Sequence, residues 1–179
     1  MRLLYIYVPI SILMSSLFTA SVKYNSTSDK EKIMAAVQSY VGEWESEIKT
    51  DQNGNKMKYS YELTSFDEAN TMFKMVIKKH YQDGGAAELV WEGFKGWNPG
   101  KEEAYYYGFS PSGRFSSGIL YVNEEILITE YTGYAPNSKP VKILDEFFPV
   151  ENGKFKSVTN LESEGGDWRV IGRDEWTKI

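Results

Sequence analysis

The sequence predicts an all-β protein: an antiparallel up-and-down β-barrel of about 8–10 strands with one short N-terminal helix. Three observations support this fold class. Apolar and polar residues alternate with a period of two, turn-forming residues recur along the chain, and no long helical pattern separates the segments. Helical crossovers, which a parallel sheet requires, are therefore not expected. A meander of this length leaves unpaired edges unless it closes into a barrel, and a two-sheet sandwich stays open as the alternative.

The predicted helix lies near the start of the folded domain. Ser28 followed by Glu31 is a capping-box pattern, and Gly42 is suited to the position just past a helix end. The apolar residues between these signals fall at helical spacing: Ile33, Met34, Val37, Tyr40 and Val41. The pattern predicts a helix with one buried face.

Ten β-type segments follow, each bounded by residues that favour turns. The dipeptides Asn53-Gly54 and Asn152-Gly153 are typical of tight hairpins. The cleanest alternation places Met57, Tyr59, Tyr61 and Leu63 on one face. The predicted strands cover residues 44–49, 57–63, 73–78, 89–94, 104–109, 115–122, 125–134, 141–150, 154–161 and 168–178.

Composition and charge exclude several classes of function. The chain of 179 residues suits one domain, and 15% aromatic residues supply enough large side chains for a core. A net charge of −5 without a dense basic run argues against nucleic-acid binding. The absence of cysteine excludes disulfides, thiol catalysis, cysteine metal sites and a lipid anchor on an N-terminal cysteine.

The first 21 residues have the order of a secretory signal. A positive charge at Arg2 precedes a mostly apolar stretch over residues 3–18, and small residues follow at Thr19-Ala20-Ser21. We therefore expect a signal peptide over 1–21 and a single barrel domain over 22–179. The protein is then exported, periplasmic or secreted, and not inserted in the membrane after cleavage. An uncleaved anchor is the alternative, although Pro9 and three serines interrupt the apolar stretch.

The best motif is Gly42-Glu43-Trp44, at the junction of the helix and the first strand. Here the chain resembles the lipocalin and fatty-acid-binding (calycin) group, whose first strand opens with Gly-x-Trp. The wider resemblance is to small exported bacterial lipocalin-like domains of unknown function, which share a last strand ending like Gly172-Arg173-Asp174-Glu175-Trp176. This resemblance implies that a late arginine, Arg173 or else Arg169, packs over Trp44 and closes the barrel end. Gly42, Trp44 and Arg173 then have a structural role.

Aromatic residues at alternating positions predict the lining of a cavity. Such a lining suits a small apolar or amphipathic ligand, with phenol groups placing its polar end. The alternative is that these rings simply fill the barrel. A bulge would also flip a set of them to the other face. The predicted lining residues are Tyr59, Tyr61, Phe73, Met75, Trp91, Tyr105, Tyr107, Tyr121 and Tyr131.

Few residues offer catalytic chemistry. His80 is the single histidine, and neither a Ser-His-Asp triad nor a haem or zinc site is expected around it. Asp145 and Glu146 adjoin two phenylalanines, so a partly buried carboxyl acting with a tyrosine as an acid or base stays open. A solvated face is expected for Glu43, Glu45 and Glu47.

These observations favour a binding protein over an enzyme, with no cofactor and no metal site predicted. The hypothesis is an extracytoplasmic barrel that binds or carries a small hydrophobic or amphipathic ligand. Two alternatives remain: an enzyme that uses carboxylate and tyrosine groups in the same cavity, and an interaction module with a filled core. A fold alone does not decide between them.

Overall fold

The computed structural model of the protein describes residues 26–179. The predicted signal peptide over 1–21 lies outside the described residues, as does the side chain of Ser28 in the predicted capping box. Helix α1 comprises Ser26–Ser39 and buries the predicted apolar face, including Val37 at 0% exposure. No helix in this part of the chain is long and apolar enough to span a membrane.

Eleven strands follow the helix, and the alternating sequence accounts for them because one face of each strand is buried. Their order along the chain is also their order around the sheet from β3 to β11. The strands are β1 (Gly42–Ser46), β2 (Lys49–Thr50), β3 (Lys56–Ser65), β4 (Met72–Tyr81), β5 (Glu88–Asn98), β6 (Glu103–Phe109), β7 (Phe115–Asn123), β8 (Ile126–Tyr134), β9 (Val141–Phe147), β10 (Lys154–Glu162) and β11 (Trp168–Lys178).

The sheet closes on itself through β1. This strand pairs antiparallel with β11 on one side and with β3 on the other, while β2 continues the pairing along β3. β1 and β2 are thus two halves of one bent strand, interrupted at Glu47 and Ile48, and the barrel has ten strand positions. The predicted antiparallel up-and-down barrel is confirmed, and closure rules out the two-sheet sandwich.

The Asn152-Gly153 turn forms the predicted tight hairpin, for a backbone reason. Asn152 has φ 51° and Gly153 has φ 71°, and Glu151 and Lys154 exchange both backbone hydrogen bonds at 2.8 and 2.9 Å. Positive φ at both central residues is the signature of a type I′ hairpin turn, which Asn-Gly favours. In the first turn only Gly54 is left-handed, at φ 86°.

Gly42 and Trp44 hold the junction between helix and barrel. Gly42 has φ 130°, a conformation that side chains disfavour, and a Cβ there would lie 3.0 Å from Cε of Lys178. Trp44 is fully buried, and its Nε1 donates a hydrogen bond of 2.8 Å to the backbone oxygen of Tyr40. Gly42 and Trp44 thus contribute a special backbone conformation and a buried hydrogen bond at this junction, and the barrel-closing role implied by the resemblance stays a prediction.

The cation over Trp44 is Lys178, and the assignment of this role to Arg173 is wrong. Nζ of Lys178 lies 5.3 Å from the Trp44 ring centroid, because these two residues are directly paired across β1 and β11. Arg173 is exposed and stands an odd number of positions from Lys178, so it points to the opposite face. Arg169, the second candidate, is also exposed and pairs with Leu161.

Replacing Trp44 with phenylalanine tests this junction. The variant loses the indole hydrogen bond and part of the ring volume, so we expect the free energy of unfolding to fall by about 2–3 kcal/mol. Trp168→Phe is the matched control because its ring is 41% exposed, and we expect a change within about 0.5 kcal/mol. Equal effects in urea denaturation would contradict the structural role of Trp44.

Candidate functional site in the barrel cavity

One end of the barrel is closed by α1 and by a cluster of aromatic rings. The hydroxyl of Tyr40 donates hydrogen bonds to the backbone oxygens of Phe147 and Phe148, at 3.0 and 2.9 Å. Phe155 packs edge-on against Trp44 at a centroid distance of 4.8 Å. Burial raises the pKa of Tyr40, so its hydroxyl stays protonated and donating. This end is a solid core.

Beyond this core the barrel encloses a cavity of about 580 Å³. Its walls come from the inner faces of the strands, and its other end is lined by residues near the β6–β7 and β8–β9 turns, including Arg114, Ser138 and Lys139. A volume of this size falls within the range of small-molecule pockets. Side chains therefore do not fill the whole barrel, contrary to the filled-core alternative.

Most of the predicted lining residues border this cavity. They are Tyr59, Tyr61, Met75, Trp91 and Tyr131. Phe73 shares the inner face of β4 but is fully buried in the adjoining core and does not border the cavity. Contact between these side chains and a ligand stays a prediction.

Three predicted lining residues are placed on the wrong face. On β6 the buried residues are Ala104, Tyr106 and Gly108, so Tyr105 and Tyr107 point outwards, and Tyr107 is 45% exposed. On β7 the buried Leu120 fixes Tyr121 on the outer side, where its hydroxyl donates to Glu130 at 3.5 Å. The error arises because inner positions of these strands include small residues, such as Gly108 and Ser116, whereas larger rings occupy neighbouring outer positions.

The outward rings form a row across β6 to β8. Tyr105 and Tyr107 have centroids 5.3 Å apart, Tyr107 and Phe115 stack at 6.4 Å, and Phe115 and Tyr134 stack at 6.1 Å. Phe115 and Tyr134 also border the cavity, so the row begins at its open end.

The wall at Tyr106 depends on a glycine. Nε1 of Trp91 donates a hydrogen bond of 2.6 Å to the hydroxyl of Tyr106, and Oγ of Ser116 donates to the same oxygen at 3.3 Å. Burial raises the pKa of Tyr106 to about 12. A Cβ on Gly108 would lie 2.2 Å from Nε1 of Trp91, so only glycine leaves room for this pair.

Gly108→Ala should therefore disrupt this wall. The added methyl group forces Trp91 away from Tyr106, and we expect a loss of about 1–3 kcal/mol in unfolding free energy. The tryptophan emission spectrum should shift as well. Gly172→Ala is the matched control, since a Cβ on this strand glycine meets Thr159 at an ordinary 3.6 Å. A neutral Gly108→Ala would show that the wall yields without cost.

Two ionisable side chains in the cavity have opposite charge. Lys95 on β5 is 2% exposed, and its Nζ lies 4.0 Å from the ring centroid of Phe147 on β9. Asp145 on β9 borders the cavity, and its Oδ1 is buried without a hydrogen-bond partner. Within residues 26–179, neither Lys95 nor Asp145 belongs to an ion pair with an N–O distance of 4.0 Å or less.

Burial shifts the pKa of each group in the direction that favours its neutral form. Desolvation lowers the pKa of Lys95 from 10.5 to about 8, against the attraction of Asp145. Desolvation also raises the pKa of Asp145, although Thr159, Tyr131 and the charge of Lys95 act in the opposite direction. Groups of this kind suit the binding of a polar ligand group or proton transfer.

The sequence pointed to one member of this pair and missed the other. Asp145 was a candidate because it adjoins two phenylalanines. Glu146 was the second candidate, but it does not border the cavity and accepts a hydrogen bond of 3.0 Å from Asn160. Lys95 was missed because a lysine in an alternating strand is normally read as solvent-facing. Lys95 stands four residues after Trp91 on β5 and shares its parity, so the predicted inward position of Trp91 was an available signal for Lys95.

The remaining chemical candidates lie away from the cavity. His80 contacts Oγ of Ser60 at 2.8 Å and does not border the cavity. Glu43 and Glu47 are exposed, and Glu45 forms an ion pair with Lys58 at 2.6 Å, as expected for an outer face. Within residues 26–179, no three acidic or histidine side chains gather into a group that suits a metal ion.

The buried state of Lys95 has a measurable pH signature. Between its folded pKa of about 8 and its unfolded value of 10.5, the unfolded chain binds more protons, so stability rises with pH. We expect the unfolding free energy of the wild type to rise relative to Lys95→Met by about 2–3 kcal/mol over this range. Lys101→Met, at an exposed lysine, serves as control. If the difference in unfolding free energy between wild type and Lys95→Met stays constant over this pH range, the lowered pKa of Lys95 is contradicted.

The closed ten-stranded antiparallel barrel with one short helix is consistent with a calycin-like fold. No protein-family model matches the chain, and no curated protein is significantly similar to it in sequence. The lipocalin identity suggested by Gly-x-Trp therefore stays a prediction.

Proposed function

We propose that this protein binds a small, largely apolar molecule inside the barrel, as an exported lipocalin-like carrier. The observation that carries the proposal is the cavity of about 580 Å³, in which the buried atoms Thr129 Oγ1 and Asp145 Oδ1 have no hydrogen-bond partner. Buried polar atoms are normally paired, so two unpaired atoms at one cavity favour a missing polar partner. The signal-like pattern of residues 1–21 supports the proposal that this carrier is exported.

The lining gives the ligand its general shape. Met75, Ile77 and Ile143 supply apolar surface, whereas Tyr61, Tyr131 and the ionisable pair Lys95 and Asp145 supply polar groups. Desolvation is the main cause of the raised pKa values of Tyr61 and Tyr131, so both phenols remain hydrogen-bond donors at neutral pH. An amphipathic molecule with one apolar part matches this division.

Native mass spectrometry tests binding directly. The protein is purified from its own host and compared with the same protein after unfolding and refolding, and we expect an extra mass only in the native sample. A second comparison measures displacement of a fluorescent apolar dye. Ile143→Trp places a large ring in the cavity and should weaken dye binding by about tenfold or more.

Ile119→Trp is the matched control, since Ile119 is 37% exposed on the outer face of β7. Its dye affinity should equal that of the wild type. If the native and refolded masses agree and Ile143→Trp binds the dye as tightly as Ile119→Trp, the cavity is not the binding site.

Acid–base catalysis in the same cavity is the second candidate, favoured by the buried carboxyl of Asp145. Burial raises the pKa of this carboxyl, and a buried carboxyl at a cavity is a candidate proton donor or acceptor. The small molecule recovered from native protein is incubated with refolded wild type and with Asp145→Asn. Conversion by the wild type alone supports catalysis, whereas recovery of unchanged molecule from both supports simple binding.

A further inference from the structure

Resting on the proposed binding function, we infer that the buried end of the ligand is an uncharged group with both a hydrogen-bond acceptor and a donor, of the carboxamide class, held between Lys95 and Asp145. The carbonyl oxygen accepts from the lysine, and the N–H donates to the carboxylate. The apolar remainder lies along the rest of the lining towards the open end.

The barrel geometry brings the two side chains to one space from nearly opposite walls. β5 and β9 are four strand positions apart in a ring of ten. Lys95 extends across the lumen, because its Nζ reaches the ring of Phe147, two residues along β9 from Asp145. Since no direct ion pair of 4.0 Å or less joins Lys95 to Asp145, a ligand group can lie between them.

The unpaired atoms define what that group must offer. Oδ1 of Asp145 is an acceptor without a donor, and the ammonium of Lys95 is a donor only. Thr129, which is 1% exposed, is the direct cross-strand neighbour of Asp145, and its Oγ1 is also unpaired. A carboxamide supplies an acceptor and two N–H donors within one rigid plane, enough for all three residues.

Charge balance excludes an ionised ligand end. Asp174, the other carboxylate at the cavity, is already paired with Lys49. A ligand carboxylate would stand beside Asp145 as a like charge, and a ligand ammonium would stand beside Lys95. Either one leaves a buried charge uncompensated, which is strongly unfavourable. A neutral group leaves the summed charge of Lys95 and Asp145 at zero.

Three probes with the same ten-carbon chain test the inference: decanamide, decanoate and decylammonium, each displacing the fluorescent apolar dye at pH 7. We expect the wild type to bind decanamide about tenfold or more tightly than either charged probe, because only decanamide satisfies both side chains. This comparison needs no variant, so it does not depend on the folding of a mutant.

Two substitutions should redirect the preference. Asp145→Asn removes the anion and should raise the affinity for decanoate relative to decanamide by about tenfold. Lys95→Met removes the cation and should favour decylammonium in the same way. The matched controls are Asp167→Asn and Lys101→Met, both at exposed positions, and they should keep the wild-type order.

The outcomes separate this inference from the proposed function. A wild type that prefers decanoate, or binds all three probes equally while still binding the dye, overturns the carboxamide inference and leaves the cavity function standing. Variants that gain stability without any change in probe order show that water alone satisfies the pair, and this also overturns it. Failure of the dye and all probes to bind removes the proposed function itself.

Discussion

The double pairing of β1 is the constraint on which the rest of the structure depends. One short strand hydrogen-bonds to both β11 and β3, so the described sheet closes into a ring and every strand acquires an inside. The register of this pairing sets Trp44 against Lys178 and against Tyr61. Gly42 permits the close approach of Lys178 because its backbone has a positive φ and it carries no side chain.

The number of strand positions then leaves space that the side chains do not fill. At one end α1 and the rings around Phe155 occupy the lumen, whereas the other end holds the cavity. A ten-stranded barrel is wider than one that side chains fill by themselves. The cavity is thus a consequence of barrel closure. Its polar groups, Lys95 and Asp145, line the cavity because the strand register turns them inwards.

Much of the fold could be predicted because it follows from local sequence patterns. Ile33 and Val37 repeat at helical spacing, and Asn152-Gly153 has the backbone preference of a tight turn. The site could be predicted only in part. Alternation correctly placed Tyr59, Tyr61 and Met75, but it failed at Tyr105 and Tyr107, where the larger rings lie outside and Gly108 lies inside.

Local sequence patterns account for most of the strands, for their turns and for the antiparallel class, since these depend on residues close together in the chain. They did not determine which face of each strand points inwards. That choice depends on the register with neighbouring strands and on closure, which are interactions between distant residues. Only the tertiary structure therefore brought Lys95 and Asp145 to one cavity and gave Lys178, not Arg173, the place over Trp44.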